Sequence, residues 1–232
     1  MLKRFTRATI FEFALFSSLA FVFLTALSMA FYQGGTQANH HSRGYSFLIN
    51  FFSDLGRTRA YSGAPNLISA PLFAFALSLA GLGLAAFFVA FAGIFWTNLI
   101  ARTAATFGAA LGIFAGASFI GVALTPADIN SPLHGFLVFS AFRAFLFAVV
   151  PFSILIWSQN RYPKSGAFVF LAFALFLAAY LCLISFGPSP RSPGGLMIQV
   201  TGQKLIVYAS VVCVGLQSIL ARHFLRGEFS KP

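Results

Sequence analysis

The chain has 232 residues, of which 59% are hydrophobic and only 8% charged, with a formal net charge of +11. Soluble domains carry roughly 25% charged residues, so this composition excludes a water-facing globular surface. The basic excess does not point to nucleic acid, because the bases sit beside apolar runs, where they serve as orientation signals and contacts to anionic headgroups.

Hydrocarbon about 30 Å thick is crossed by about 20 apolar helical residues. Spans are predicted near 8–32, 67–96, 101–124, 134–157, 166–187 and 203–223. The fold class is therefore all-α, a single transmembrane domain over 1–232 built as a bundle of six helices. The first span, with its basic start and Ser28-Met29-Ala30, shares features with a secretory signal. Its apolar stretch is too long for one, and it is read as a retained helix.

Charge sets the expected orientation. With the N-terminus inside, Lys3, Arg4, Arg7, Arg102, Arg161, Lys164, Arg222, Arg226 and Lys231 put nine bases inside. Arg43, Arg57, Arg59, Arg191 and Lys204 put five outside, with Arg143 left in the membrane. That asymmetry favours both termini in the cytoplasm. The expected location is a cell membrane, multi-pass, and membrane lipids are the expected partners, with a second subunit or a second copy as further options.

The first outer loop, about 33–66, is too long for a simple connection. Its segment Tyr45–Gly56, read as a helix, aligns Leu48, Phe51, Phe52 and Leu55 on one face, which predicts a short interfacial helix. The fifth-to-sixth connection, Gly187–Gly202, is rich in Pro and Gly and is predicted irregular. In the third span Gly108, Gly112 and Gly116 recur every four residues, a stripe on which another backbone can approach closely. Cys182 and Cys213 fall inside apolar runs and are read as packing residues.

The scarce polar residues carry the candidate chemistry. There are only four acids, Glu12, Asp54, Asp128 and Glu228. Ser53, Asp54, Asp128 and His134 fall in outer segments, with Arg57 and Arg59 beside them. One reading joins these six residues in an outer-face ligand pocket, the arginines compensating the buried carboxylates. The other gives them capping and turn roles. Arg143 lies near mid-membrane, where an unpaired guanidinium is costly, and Glu12 is its available intramembrane partner. No nucleotide-binding glycine loop, H-E-x-x-H or G-x-S-x-G motif occurs, and no cofactor is called for.

The run Ser53-Asp54-Leu55-Gly56, then Pro126-x-Asp128, then His134-Gly135 at a helix start, with Gly202-Gln203-Lys204-Leu205 opening the sixth span, resembles a bacterial family of six-helix membrane proteins allied to the Frag/DRAM/Sfk group. That resemblance implies a fold and a bacterial inner-membrane setting, but no activity. A more remote likeness is to membrane hydrolases of the alkaline ceramidase type, which use Ser, Asp and three His around zinc. Here no H-x-x-x-H pair occurs in a late span, so zinc would need His134, Asp54 or Asp128, and His40 or His41. The expected function is binding of a lipid headgroup, a small ligand or a partner subunit at the outer cluster. The alternatives are a membrane-embedded lipid hydrolase and a small transporter using Arg143.

Overall fold

The computed structural model describes residues 2–159 and 162–228. Arg161 and Lys231, two of the bases counted above, lie outside the described residues, as do the side chains of Lys3 and Arg4. Six α-helices follow in order: α1 (Leu2–Ala30), α2 (Ser69–Ala92), α3 (Leu99–Leu124), α4 (Ser131–Ser158), α5 (Lys164–Phe186) and α6 (Gly195–Arg226). Each is long and apolar enough to cross a membrane. The described residues contain no strand, only an isolated bridge between Arg59 and Pro65.

Each helix packs on its neighbours in sequence, and α6 returns against α1, so the six form a closed ring. One face carries both termini and the short connections α2–α3 and α4–α5. The opposite face carries the long first loop, the α3–α4 turn and the α5–α6 connection.

Side chains at helix ends satisfy backbone groups left open there. Asn98 accepts from the Ala101 N–H at 2.9 Å to start α3, and Asn130 accepts from the Leu133 N–H at 3.1 Å to start α4. The sixth helix begins at Gly195, earlier than the predicted start near 203. Gly194 takes a left-handed φ of 73° that turns the chain into it. Residues 195–202, predicted irregular from the Pro and Gly content of the connection, are thus helical, and Gln199 in that first stretch donates to the Leu183 and Pro188 carbonyls, both at 3.0 Å.

Phenylalanine fills the half of the ring nearer the termini. Phe87, Phe88, Phe91, Phe95, Phe152 and Phe170 are fully buried. They meet edge-on or stacked, as in the 5.1 Å pair Phe91–Phe152 and the 5.7 Å stack of Phe88 on Phe152. Such aromatic pairs contribute beyond their buried area. Tyr162 joins the cluster through Phe91, at 5.4 Å.

The glycine stripe of α3 holds the wall together. A Cβ on Gly108 would meet Phe152 of α4, one on Gly112 would meet Phe88 of α2, and one on Gly116 would strike the Gly81 carbonyl of α2. Gly81 is in turn pressed on the Gly116 carbonyl, so here two backbones touch. Backbone cannot swing aside as a side chain can, and overpacking of this kind costs roughly 1–3 kcal/mol. Gly116→Ala is expected to lower the detergent melting temperature by roughly 5 °C. Gly135→Ala, at an α4 site with nothing within 4 Å of the added methyl, is expected to leave it unchanged. Equal melting temperatures for the two variants would count against the backbone contact.

Candidate functional site

Residues 45–56 do not form one amphipathic helix. The chain makes turns around 47–50 and then a single 3₁₀ turn, Phe52–Gly56, sunk into the mouth of the ring. Phe52 and Leu55 are buried, whereas Leu48, expected on the same face, is 50% exposed. Asn50 causes the break. Its side chain accepts from the Ser46 N–H at 2.9 Å and donates to the Gly35 carbonyl at 3.0 Å, so it offers the backbone an alternative to helical pairing.

A chain that dips among apolar helices must have its polar groups matched there. Asp54 accepts from the Phe51 N–H at 2.9 Å and from the Asn50 amide at 3.2 Å. Tyr45 donates its hydroxyl to the Asn50 and Phe51 carbonyls, both at 3.0 Å. Asn66 donates to the Leu55 and Arg57 carbonyls at 2.9 and 3.1 Å. From α6, Gln203 accepts from the Phe52 N–H at 2.7 Å through Oε1, and Lys204 donates to the Asn50 carbonyl. The Lys204 ammonium lies 5.0–5.2 Å from the ring centres of Tyr45, Phe47 and Phe52, an aromatic cage that compensates its burial.

No side chain of the six residues expected to share a pocket bonds to the side chain of another. Asp128, on the α3–α4 turn, accepts from the Thr58 N–H and hydroxyl at 3.0 and 2.6 Å and from the Arg59 N–H at 3.0 Å. It buckles the loop to that turn. His134 holds its Nδ1 2.7 Å from the Thr125 carbonyl; a carbonyl only accepts, so Nδ1 carries the proton. No hydrogen bond or ion pair joins Asp54, Asp128 and His134. Arg57 lies over the Tyr61 ring at 4.1 Å, and the Arg59 guanidinium donates to the Gly63 carbonyl at 3.1 Å, so neither arginine forms an ion pair with a carboxylate, although the Arg57 charge acts on Asp54 from a distance. Of the six, Ser53 alone lines the cavity described below.

The proposed partnership of Glu12 with Arg143 is also overturned. Glu12 pairs with Arg222 at 2.8 Å, because α1 and α6 are neighbours in the ring while α4 lies across it. Arg143 is exposed on the outer flank of α4, its guanidinium 5.0 Å from the Phe139 ring centre. The inward side of that turn is Phe142 and Phe145, so Arg143 does not face an internal path. Of the residues named for zinc, His40 stacks on Tyr61 at 5.9 Å and His134 is bound to the Thr125 carbonyl. Among the described residues no three of His, Cys, Asp and Glu are placed to hold a metal.

Beneath the 3₁₀ turn lies an apolar cavity of about 100 Å³. It occupies the half of the ring that the aromatic cluster leaves, between α1, α2, α3, α4 and α6. Its walls are residues such as Phe73, Leu77, Phe119, Val138, Phe142 and Val211, and its ceiling is Phe52 and Ser53. The lining contains no acid, base, His or Cys. Sequence reading missed the two residues that fasten this ceiling from below, Gln203 and Lys204, as members of the site. Both stood in the Gly202-Gln203-Lys204-Leu205 opening of the sixth span, and Lys204 was counted among the outer bases, but neither was joined to the loop residues.

The chain matches no known protein family, no curated protein and no solved structure.

Burial raises the Asp54 carboxyl to about 6, against the lowering effects of the Asn50 amide, the Phe51 N–H and the positive charges of Arg57 and Lys204. Asp128 goes the other way: burial raises it, but the Thr58 hydroxyl and the Arg59 and Thr58 amides outweigh that and hold it below the ordinary carboxylate range. The folded chain thus binds a proton at Asp54 more tightly than the unfolded chain does. Its contribution to stability is complete below about pH 4 and is lost as pH rises through about 6, an effect of roughly 3 kcal/mol at most. Asp54→Asn keeps an oxygen for the Phe51 N–H and does not ionise. Across pH 4–7 the melting temperature of the wild type is expected to fall relative to that of Asp54→Asn; parallel curves would mean that Asp54 is ionised throughout.

Proposed function

We propose that this protein is a membrane-embedded binding protein that takes a small apolar molecule from the lipid phase into the cavity, with the first loop as its lid. The observation that carries this reading is the cavity itself, walled by five helices and roofed by a turn that α6 fastens through Gln203 and Lys204. The cavity is partly open, and an apolar occupant gains dispersion contacts with its aromatic and aliphatic walls. In this reading the polar cluster of the loop is the latch of the site rather than its binding surface: Asp54, Asn50 and Asn66 shape the lid, and Asp128 ties it to the α3–α4 turn.

Photolabelling tests the occupancy. A phenyl diazirine hydrocarbon, added to the protein in nanodiscs, is expected to form adducts on cavity residues such as Val138 and Val211 as well as on lipid-facing positions such as Phe75. Ala80→Phe or Val211→Phe, which fill the space, should reduce the remaining cavity adducts at least about fivefold and spare Phe75. Adducts confined to lipid-facing residues would overturn the reading.

The distribution of bases supports an orientation with both termini in the cytoplasm and the lid on the external face. Reporters fused after residue 232 and near residue 162 are expected to report cytoplasm, and one near residue 190 the outside. An external C-terminus would put the lid on the cytoplasmic face instead.

A further inference from the structure

We infer that the occupant carries an uncharged hydrogen-bond acceptor of the ester or ketone carbonyl class, held at the top of the cavity by the Gln203 amide and the Ser53 hydroxyl. This rests on the reading that the cavity is occupied, and concerns what occupies it.

Four polar side chains line the cavity: Ser18, Ser53, Gln203 and Ser210. Two have already committed their protons to their own helix. Ser18 donates to the Ala14 carbonyl at 2.9 Å, and Ser210 to the Ile206 carbonyl at 2.8 Å. This is the common resting place of a serine in a transmembrane helix and asks for no ligand.

The other two are different. Gln203 is 9% exposed, and its Oε1 accepts from the Phe52 N–H at 2.7 Å. That donor fixes which end of the amide is oxygen, so the NH₂ group is turned away from the lid backbone. Among the described residues Nε2 has no protein partner, and neither does the Ser53 hydroxyl. Both residues line the same cavity, close together because the Gln203 carboxamide is bound to the residue next to Ser53. Buried polar groups in proteins are nearly always paired. Gln203 is nine-tenths buried and Ser53 half-buried, so these two unpaired donors at the edge of one small apolar space are placed to take an acceptor brought in from outside.

Charge narrows the class. No cationic side chain lines the cavity, and Lys204, one residue on, directs its ammonium to the Asn50 carbonyl and the aromatic cage of the lid. A carboxylate or phosphate would be buried there without a counter-charge, which is strongly unfavourable. A plain hydrocarbon would leave both donors unsatisfied. A neutral carbonyl satisfies them while its apolar body fills the aromatic and aliphatic walls. The carbonyl can be the ester of an acyl chain or the ketone of a ring; both present the same acceptor to Gln203 and Ser53.

Competition against the diazirine label distinguishes these. Four compounds are compared at equal membrane concentration: acetophenone, its carbonyl-free counterpart ethylbenzene, methyl hexanoate, and hexanoate at pH 8. In the wild type at least one of the two carbonyl compounds is expected to displace cavity labelling at about a tenth of the concentration of ethylbenzene, the difference made by about one good hydrogen bond. Hexanoate should be the weakest. Greater potency of methyl hexanoate would identify an acyl ester as the source, and greater potency of acetophenone a ring ketone; either supports the inference. Ser53→Ala removes one donor and no contact to the lid, and should shrink the carbonyl advantage to about threefold. Gln203→Glu keeps an acceptor for the Phe52 N–H but loses the amide donors, and should abolish it. If cavity labelling occurs and ethylbenzene competes as well as both carbonyl compounds, the inference is wrong and the apolar binding site stands. If hexanoate competes best, a cation reaches the site and the inference is wrong. If no cavity residue is labelled at all, the occupancy on which it rests fails.

Discussion

The structure depends on how α6 holds a stretch of polar backbone from the first loop. Residues 50–52 sit at the mouth of an apolar ring, where water cannot be relied on to satisfy a peptide group. The Phe52 N–H is met by Gln203 and the Asn50 carbonyl by Lys204. Around that pair the loop supplies its own partners through Tyr45, Asn50, Asp54 and Asn66. Lys204 in turn is tolerated because three aromatic rings of the loop surround it. The loop and the last helix thus each supply what the other lacks, and neither would be well placed alone.

This coupling explains the division of the bundle. In the half nearer the termini, the Phe side chains of α2, α4 and α5 meet at the centre and leave no room. In the other half, α2 presents Phe73, Leu77 and Ala80, and α6 presents Val207 and Ser210, which do not reach across. The 3₁₀ turn covers that space and does not fill it. The glycine contacts between α2 and α3 bring two walls close, so the space is bounded by stiff elements and not by collapsible loops.

Much of the fold was legible in the sequence, because the six spans answer to one constraint, the thickness of hydrocarbon, and a long apolar run satisfies it wherever it occurs. The α3 stripe was legible for a similar reason: glycine spaced by four residues has one geometrical outcome on a helix. Pairings across the ring were not. Glu12 was assigned to Arg143 because both were rare charges in apolar runs, and nothing in their spacing said that α6, carrying Arg222, would close the ring against α1. Asp54, Asp128 and His134 were correctly placed on one face, but turn-making residues and ligand-binding residues are the same amino acids. Only the partner atoms, the Phe51 amide, the Thr58 amide and the Thr125 carbonyl, separate the two roles. The helical reading of 45–56 failed because Asn50 spends both ends of its amide on the loop.

The bonds from Gln203 to Phe52 and from Lys204 to Asn50 span 151 and 154 positions of the chain. A ribosome makes the loop shortly after the first helix and makes α6 last. Until α6 is inserted, the loop lacks its anchor and the ring lacks its closing wall. The first loop to emerge therefore gains these two anchors only when the last helix arrives. A chain halted before α6 would expose an unsealed apolar hollow and an unpaired stretch of backbone, features by which membrane quality control could recognise it as unfinished.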